Sequence, residues 1–222
     1  MGRVVGELLP LAAVVAISPV PVLAALLMLL TPQAGVTGPG FLAGWIIGIA
    51  GVTTTVLLLT GTDPAESGPS SVASWIELGL GAVALPLAAR QWISRPKPGE
   101  QPRLPGWMAA VDRFTAVRAA GLGLVLSALN PKAVLVCIAA GAVIASRGLS
   151  GTQALGSVAL FTMISASTVA IPVLAYVVGR KRMARPLAAL RRWLTAHSAV
   201  VTAALLVLIG IILIGQGLSG LI

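Results

Sequence analysis

Lys132 places a full positive charge inside a run of Ala, Val, Leu, Ile and Gly, directly after Asn130 and Pro131 in the stretch SALNPKAVLV. At the centre of a membrane-spanning helix a lysine costs about 2.5–3.5 kcal/mol. Such a lysine binds an anion, pairs with an acid, or takes part in proton transfer. The plainer alternative is snorkelling to the headgroups, which its distance from either end of its run disfavours. The acid best placed as charge partner or proton carrier is Glu77, about a turn and a half inside the third apolar run; the rival placement for it is the outer headgroup level. Hydroxyls cluster in two other runs: Thr53, Thr54 and Thr55, then Ser165, Ser167 and Thr168. Thr53, Thr55, Ser165 and Ser167 are candidates to line a polar cavity; the competing reading has them bonding back to carbonyls of their own helices. With one Cys (Cys137) and one His (His197) in the chain, an intramolecular disulfide and a cysteine-rich metal site are excluded. No HExxH, Walker loop or nucleophile elbow occurs. The expectation is therefore no cofactor, no metal and no enzymatic activity.

These residues are carried by apolar segments. The chain has 222 residues, 57% hydrophobic and 9% charged, against about 25% charged for a soluble domain. Six runs approach or exceed the ~18–20 residues of a bilayer crossing: Val4–Leu30, Phe41–Thr60, Val72–Trp92, Ala116–Ser146, Gly151–Gly179 and Ser198–Leu218. The expected fold is thus an all-α integral membrane protein with six transmembrane helices. The first run is read as a retained span rather than a cleaved leader. Trp45, Trp75, Trp92 and Trp193 fall near predicted span ends, as an interfacial aromatic belt requires. The net charge of +9 sits mainly between Arg90 and Arg118 and between Arg180 and Arg192. Basic loops facing anionic cytoplasmic lipid explain it better than nucleic acid does. Both termini then lie outside, with Arg3 and Arg147 on the outer side. Trp107, Val111 and Phe114, and again Met183, Leu187, Leu190 and Leu194, follow helical spacing. Each set is read either as an interfacial helix or as a solvated loop.

A shift of 112 residues superposes ISPVPVL (17–23) on LNPKAVL (129–135), pairing Ser18 with Asn130 and Pro19 with Pro131. The same shift pairs Gly44 with Gly156, Thr53 with Ser165 and Thr55 with Ser167. Three spans per half is an odd number, so the halves cross in opposite senses, a 3+3 inverted-topology repeat. Its parts are residues 1–93, a basic cytoplasmic loop at 94–115, and residues 116–222 with a second basic loop at 180–197. Proline inside a helix frees a backbone carbonyl, tolerated in lipid only against protein or a water-filled cavity. The first and fourth helices are expected to break at these prolines. Ser18, Pro19, Pro21, Asn130, Pro131 and Lys132 then form the candidate substrate-binding set near the midplane. Gly44 and Gly48, spaced as GxxxG, signal close helix packing.

The SPVP turn, Gly44-Trp45 and the NPK turn give the chain its resemblance to a known group. It resembles the peptidoglycolipid-addressing (GAP, or Sap-like) proteins, six-span members of the LysE exporter superfamily. The resemblance implies ion-gradient-driven export or flipping of a cell-envelope lipid or glycolipid across the cytoplasmic membrane. The implied partners are that lipid, the bilayer, and a larger lipid-export or synthesis complex or a homo-oligomer. Two rivals remain open: an amino-acid-like small-solute exporter of the LysE type, and an accessory subunit that recruits a lipid-export machine without moving substrate. A membrane enzyme acting on lipid phosphates would need clustered acids or histidines, which His197 alone does not supply.

Overall fold

The computed structural model describes residues 2–60, 71–93 and 114–219. These form seven helices: α1 (Gly2–Ala16), α2 (Pro19–Leu29), α3 (Ala34–Thr60), α4 (Ser71–Ile93), α5 (Ala116–Ala128), α6 (Pro131–Ala145) and α7 (Gly151–Ser219). α7 kinks at Gly179 (φ −127°, ψ 33°). Three stretches are long and apolar enough to cross a membrane: Ala34–Thr60, Gly151–Gly179 and Ala199–Ser219. Two bent pairs raise the number to five if each is one span, α1–α2 at 50° and α5–α6 at 66°. The apolar part of α4, Leu78–Ile93, falls short on its own. Large apolar side chains on the outside, among them Leu59, Met163 and Val178 at 83%, 73% and 90% exposure, suit a hydrocarbon solvent.

Two expectations from composition are corrected. The second apolar run is expected to begin at Phe41, after the turn-forming residues of TPQAGVTGPG, yet α3 starts at Ala34 and runs through Pro39. Packing overrides propensity here. Thr37 and Gly38 are buried, Thr37 Oγ1 donates to the Gln33 carbonyl at 3.1 Å, and a Cβ on Gly38 would come within 2.7 Å of Leu29 Cδ2. The earlier start moves Trp45 from a span end to mid-helix. It is fully buried, whereas Trp75, Trp92 and Trp193 are exposed as belt residues should be. The second correction is at RKRMARP, which continues α7 as helix after the Gly179 kink. Leu187 and Leu194 on that segment are buried and Leu190 is 40% exposed, so the segment is a helix with one side packed on protein. Trp107 and Val111 of the other proposed interfacial helix lie outside the described residues, and Phe114 is not helical.

Glycines determine the packing. A Cβ on Gly44 would overlap the Ala120 carbonyl oxygen, one on Gly48 the Ser127 hydroxyl, and one on Gly123 the Phe41 carbonyl oxygen. The GxxxG expectation therefore stands, with Gly40 against Ala116 extending the stripe by a turn. Residue numbers rise together along this contact, so α3 and α5 run in the same direction. The second limb of α7 runs opposite to α4: a Cβ on Gly217 would meet the Ser74 carbonyl oxygen at 2.8 Å, and one on Gly210 would meet Leu85 Cδ2 at 2.8 Å. α1 runs with the first limb of α7, because Glu7 pairs with Arg147 and the Ala16 carbonyl accepts from Thr168.

Candidate functional site: two broken helices around a buried lysine

Each bent span breaks immediately before a proline. The residue preceding a proline is driven out of the α region towards extended backbone. Ser18 (φ −69°, ψ 117°) and Asn130 (φ −75°, ψ 114°) both take that conformation. The two residues paired by the 112-residue shift thus share nearly the same backbone geometry.

The side chemistry of the breaks differs. A new helix start leaves unpaired N–H groups. At α2, prolines at positions 19 and 21 remove two of them outright, and Ser18 makes no capping hydrogen bond. At α6, Pro131 removes one and Asn130 Oδ1 accepts from the Lys132 N–H at 3.1 Å. The Ala16 carbonyl, freed at the first break, accepts a hydrogen bond from Thr168 Oγ1 of α7. Below the second break, Ser127 Oγ donates towards the Gly123 and Leu124 carbonyls at 3.0 and 2.9 Å.

Both breaks fall at mid-depth. Ser127, three residues before Asn130, meets α3 at Gly48, ~21 Å from one end of α3 and ~18 Å from the other at ~1.5 Å per residue. Thr168, which reaches the first break, lies in the middle third of Gly151–Gly179. The half-helices that follow the breaks form the centre of the bundle: nine of eleven residues of α2 and twelve of fifteen of α6 are buried. Lys132 is among them at 4% exposure, and its Nζ has no hydrogen-bond partner among the described residues. It therefore points into protein rather than snorkelling outward.

The other candidate residues divide. Ser18, Pro19 and Pro21 are buried at the first break; Asn130 is half-buried and Pro131 exposed at the second. Thr53 and Ser165 are buried at 0% and 1% exposure and neither hydroxyl makes a hydrogen bond of ordinary geometry, although Thr53 lies beside the Cys137 thiol. Thr55 is exposed on the opposite side of α3. Ser167 bonds back to the Ile164 carbonyl at 2.7 Å, the local alternative for these hydroxyls. Glu77 belongs to α4, and its side chain lies outside the described residues. Sequence reasoning missed two buried polar groups without partners, Trp45 Nε1 and Thr162 Oγ1. It also missed the ion pair between Glu7 and Arg147, which joins the start of α1 to the turn after α6. Their opposite charges gave no signal at a separation of 140 residues.

No curated protein and no solved structure matches the chain. A family model described as Sap, sulfolipid-1-addressing protein, matches residues 8–219. That stretch includes both breaks, the glycine stripe and Lys132, and the chain belongs to the sulfolipid-1-addressing (Sap) protein family.

Proposed function

We propose that this protein moves a cell-envelope lipid or glycolipid across the cytoplasmic membrane, with the headgroup held at mid-depth between the two helix breaks. The observation that carries the reading is Lys132: buried, without a partner among the described residues, and in the centre of an apolar bundle. A charge held there without a partner is destabilising, so its presence calls for a ligand, and an anionic headgroup supplies the missing countercharge. The family's association with a sulfolipid agrees with that chemistry. An inverted 3+3 repeat is supported by the matched backbone of Ser18 and Asn130. Further support is that α3 packs along α5 while the first limb of α7 packs along α1, the exchange expected of two halves related by a two-fold axis. The basic segments face the cytoplasm in this reading, and the ion gradient that the resemblance to exporters implies drives the cycle.

The test is flipping of a fluorescent sulfated glycolipid in proteoliposomes, with a melting curve for each variant. Lys132→Met keeps the apolar stem and removes the charge; stability should be unchanged or higher. Transport should fall about 10–100-fold, the loss of one charged contact of ~1.5–3 kcal/mol. Lys132→Arg retains the charge in a planar fork and should keep partial activity. Full flipping by a stable Lys132→Met protein would refute the reading and favour an accessory role. Loss of flipping for a water-soluble amino acid rather than the lipid would point to the small-solute exporter.

A further inference from the structure

Lys132 is not alone in lacking a partner. Trp45 Nε1, Thr162 Oγ1 and Ser165 Oγ are also buried without hydrogen bonds among the described residues. Trp45 is the most telling of these. Its ring is fully buried and stacked on Phe41, with centroids 6.5 Å apart and planes at 10°. An indole N–H can only donate, and leaving it unpaired in the interior costs about 1–3 kcal/mol. Phenylalanine would keep an aromatic stack there without that penalty. The donor therefore has a use that the fold itself does not supply.

The helix register brings these groups to one level. A Cβ on Gly38 would lie within 3.7 Å of Leu29 Cγ and 3.8 Å of Val173 Cγ1, which aligns the start of α3 with the end of the first α7 limb. α3 turns back from α2, and α1 runs with α7, so α3 and this limb are antiparallel. At ~1.5 Å per residue, Trp45 lies ~10 Å from the Gly38–Val173 level, Ser165 ~12 Å and Thr162 ~16 Å. Gly48, where Ser127 and the second break approach α3, lies ~15 Å from it. The neutral donors thus share a slab at mid-depth, bordered by the second break that Lys132 follows.

We infer that Trp45, Thr162 and Ser165 are ligand-binding residues, a set of neutral donors beside the break that carries Lys132, for the acceptor oxygens of a polyoxygenated, sugar-sized headgroup. The inference rests on the lipid-handling reading but makes a separate claim: Lys132 meets the charge, whereas these three meet hydroxyl and ether oxygens and serve charged and uncharged headgroups alike.

The experiment uses full-length protein labelled with 5-fluorotryptophan, the Trp45 resonance being assigned from its loss in Trp45→Phe. Three lipids are titrated: sulfated galactosylceramide, galactosylceramide and ceramide, which lacks the sugar. The Trp45 resonance should move with both galactolipids and stay with ceramide. Lys132→Met should weaken binding of the sulfated lipid only. Thr162→Val and Ser165→Ala should weaken both galactolipids about 2- to 10-fold each, with melting temperatures held near wild type. A resonance that ignores both galactolipids, or that moves equally with ceramide, overturns the inference, even where Lys132-dependent flipping persists and the transport reading stands. A response to the galactolipids without any Lys132-dependent flipping leaves the binding residues in place and removes the transporter.

Discussion

Gly44 and Gly156 are equivalent under the 112-residue shift, yet their surroundings are opposite. A Cβ on Gly44 would overlap the backbone of Ala120 on α5, whereas one on Gly156 would meet nothing within 4 Å. In Gly44→Ala the obstacle is a carbonyl oxygen of a neighbouring helix, which cannot rotate aside. α3 and α5 would have to part by about 1 Å or more, opening the same contact at Gly40, Gly48 and Gly123 and forfeiting dispersion along the stripe. Overpacking of this kind costs about 1–3 kcal/mol. Gly156→Ala instead relieves the poor helix propensity of glycine and should gain about 0.5–1 kcal/mol. The two alanines should therefore differ by roughly 1.5–4 kcal/mol in unfolding free energy, measured by denaturant titration in mixed micelles. A Gly44→Ala protein as stable as wild type would refute the close approach. Equal damage from both would mean that the sequence repeat extends to packing.

Three further outcomes follow from individual contacts. Thr168→Val keeps the shape but strands the Ala16 carbonyl at the first break, a loss of about 1–3 kcal/mol; Ser167→Ala, which removes only a bond within its own helix, should stay within about 0.5 kcal/mol in the same titration. Asn130→Ala removes a cap that is made and should cost about 0.5–2 kcal/mol, while Ser18→Ala removes one that is not and should be nearly silent; the reverse order would contradict the donor assignment. Glu7→Gln should cost less than about 1 kcal/mol and lose that effect in high salt, because the Glu7 and Arg147 side chains are 28% and 40% exposed; a larger, salt-independent loss would show a buried pair.

The breaks were legible in the sequence because proline acts through covalent structure: it removes a donor and pushes the preceding residue to extended backbone whatever surrounds it. Structure met that expectation at Ser18 and Asn130. Burial was less legible. Thr53, Thr54 and Thr55 read as one polar cluster, but successive residues turn by about 100° on a helix, so Thr53 is interior and Thr55 faces out. The start of α3 was hidden for the opposite reason. Gly, Thr and Pro predict a turn locally, and the gain from seating small residues against Leu29 and Val173 is a tertiary effect that no window of sequence contains. Trp45 followed from that error, since its depth depends on where the helix begins.

The first break serves as an internal control for the second. It shows that this bundle can interrupt a helix at mid-depth without any charge: two prolines delete donors, a neighbouring threonine satisfies the freed carbonyl, and the position matching Lys132 under the repeat is Val20. The second break has the same backbone geometry and a capping asparagine. Nothing in making that bend requires an ammonium group, which forms no hydrogen bond among the described residues. Lys132 is thus surplus to the fold and works against its stability, and the same holds in weaker form for the indole N–H of Trp45. The headgroup site proposed above accounts for such groups, which sit on separate helices and are kept at an energetic loss.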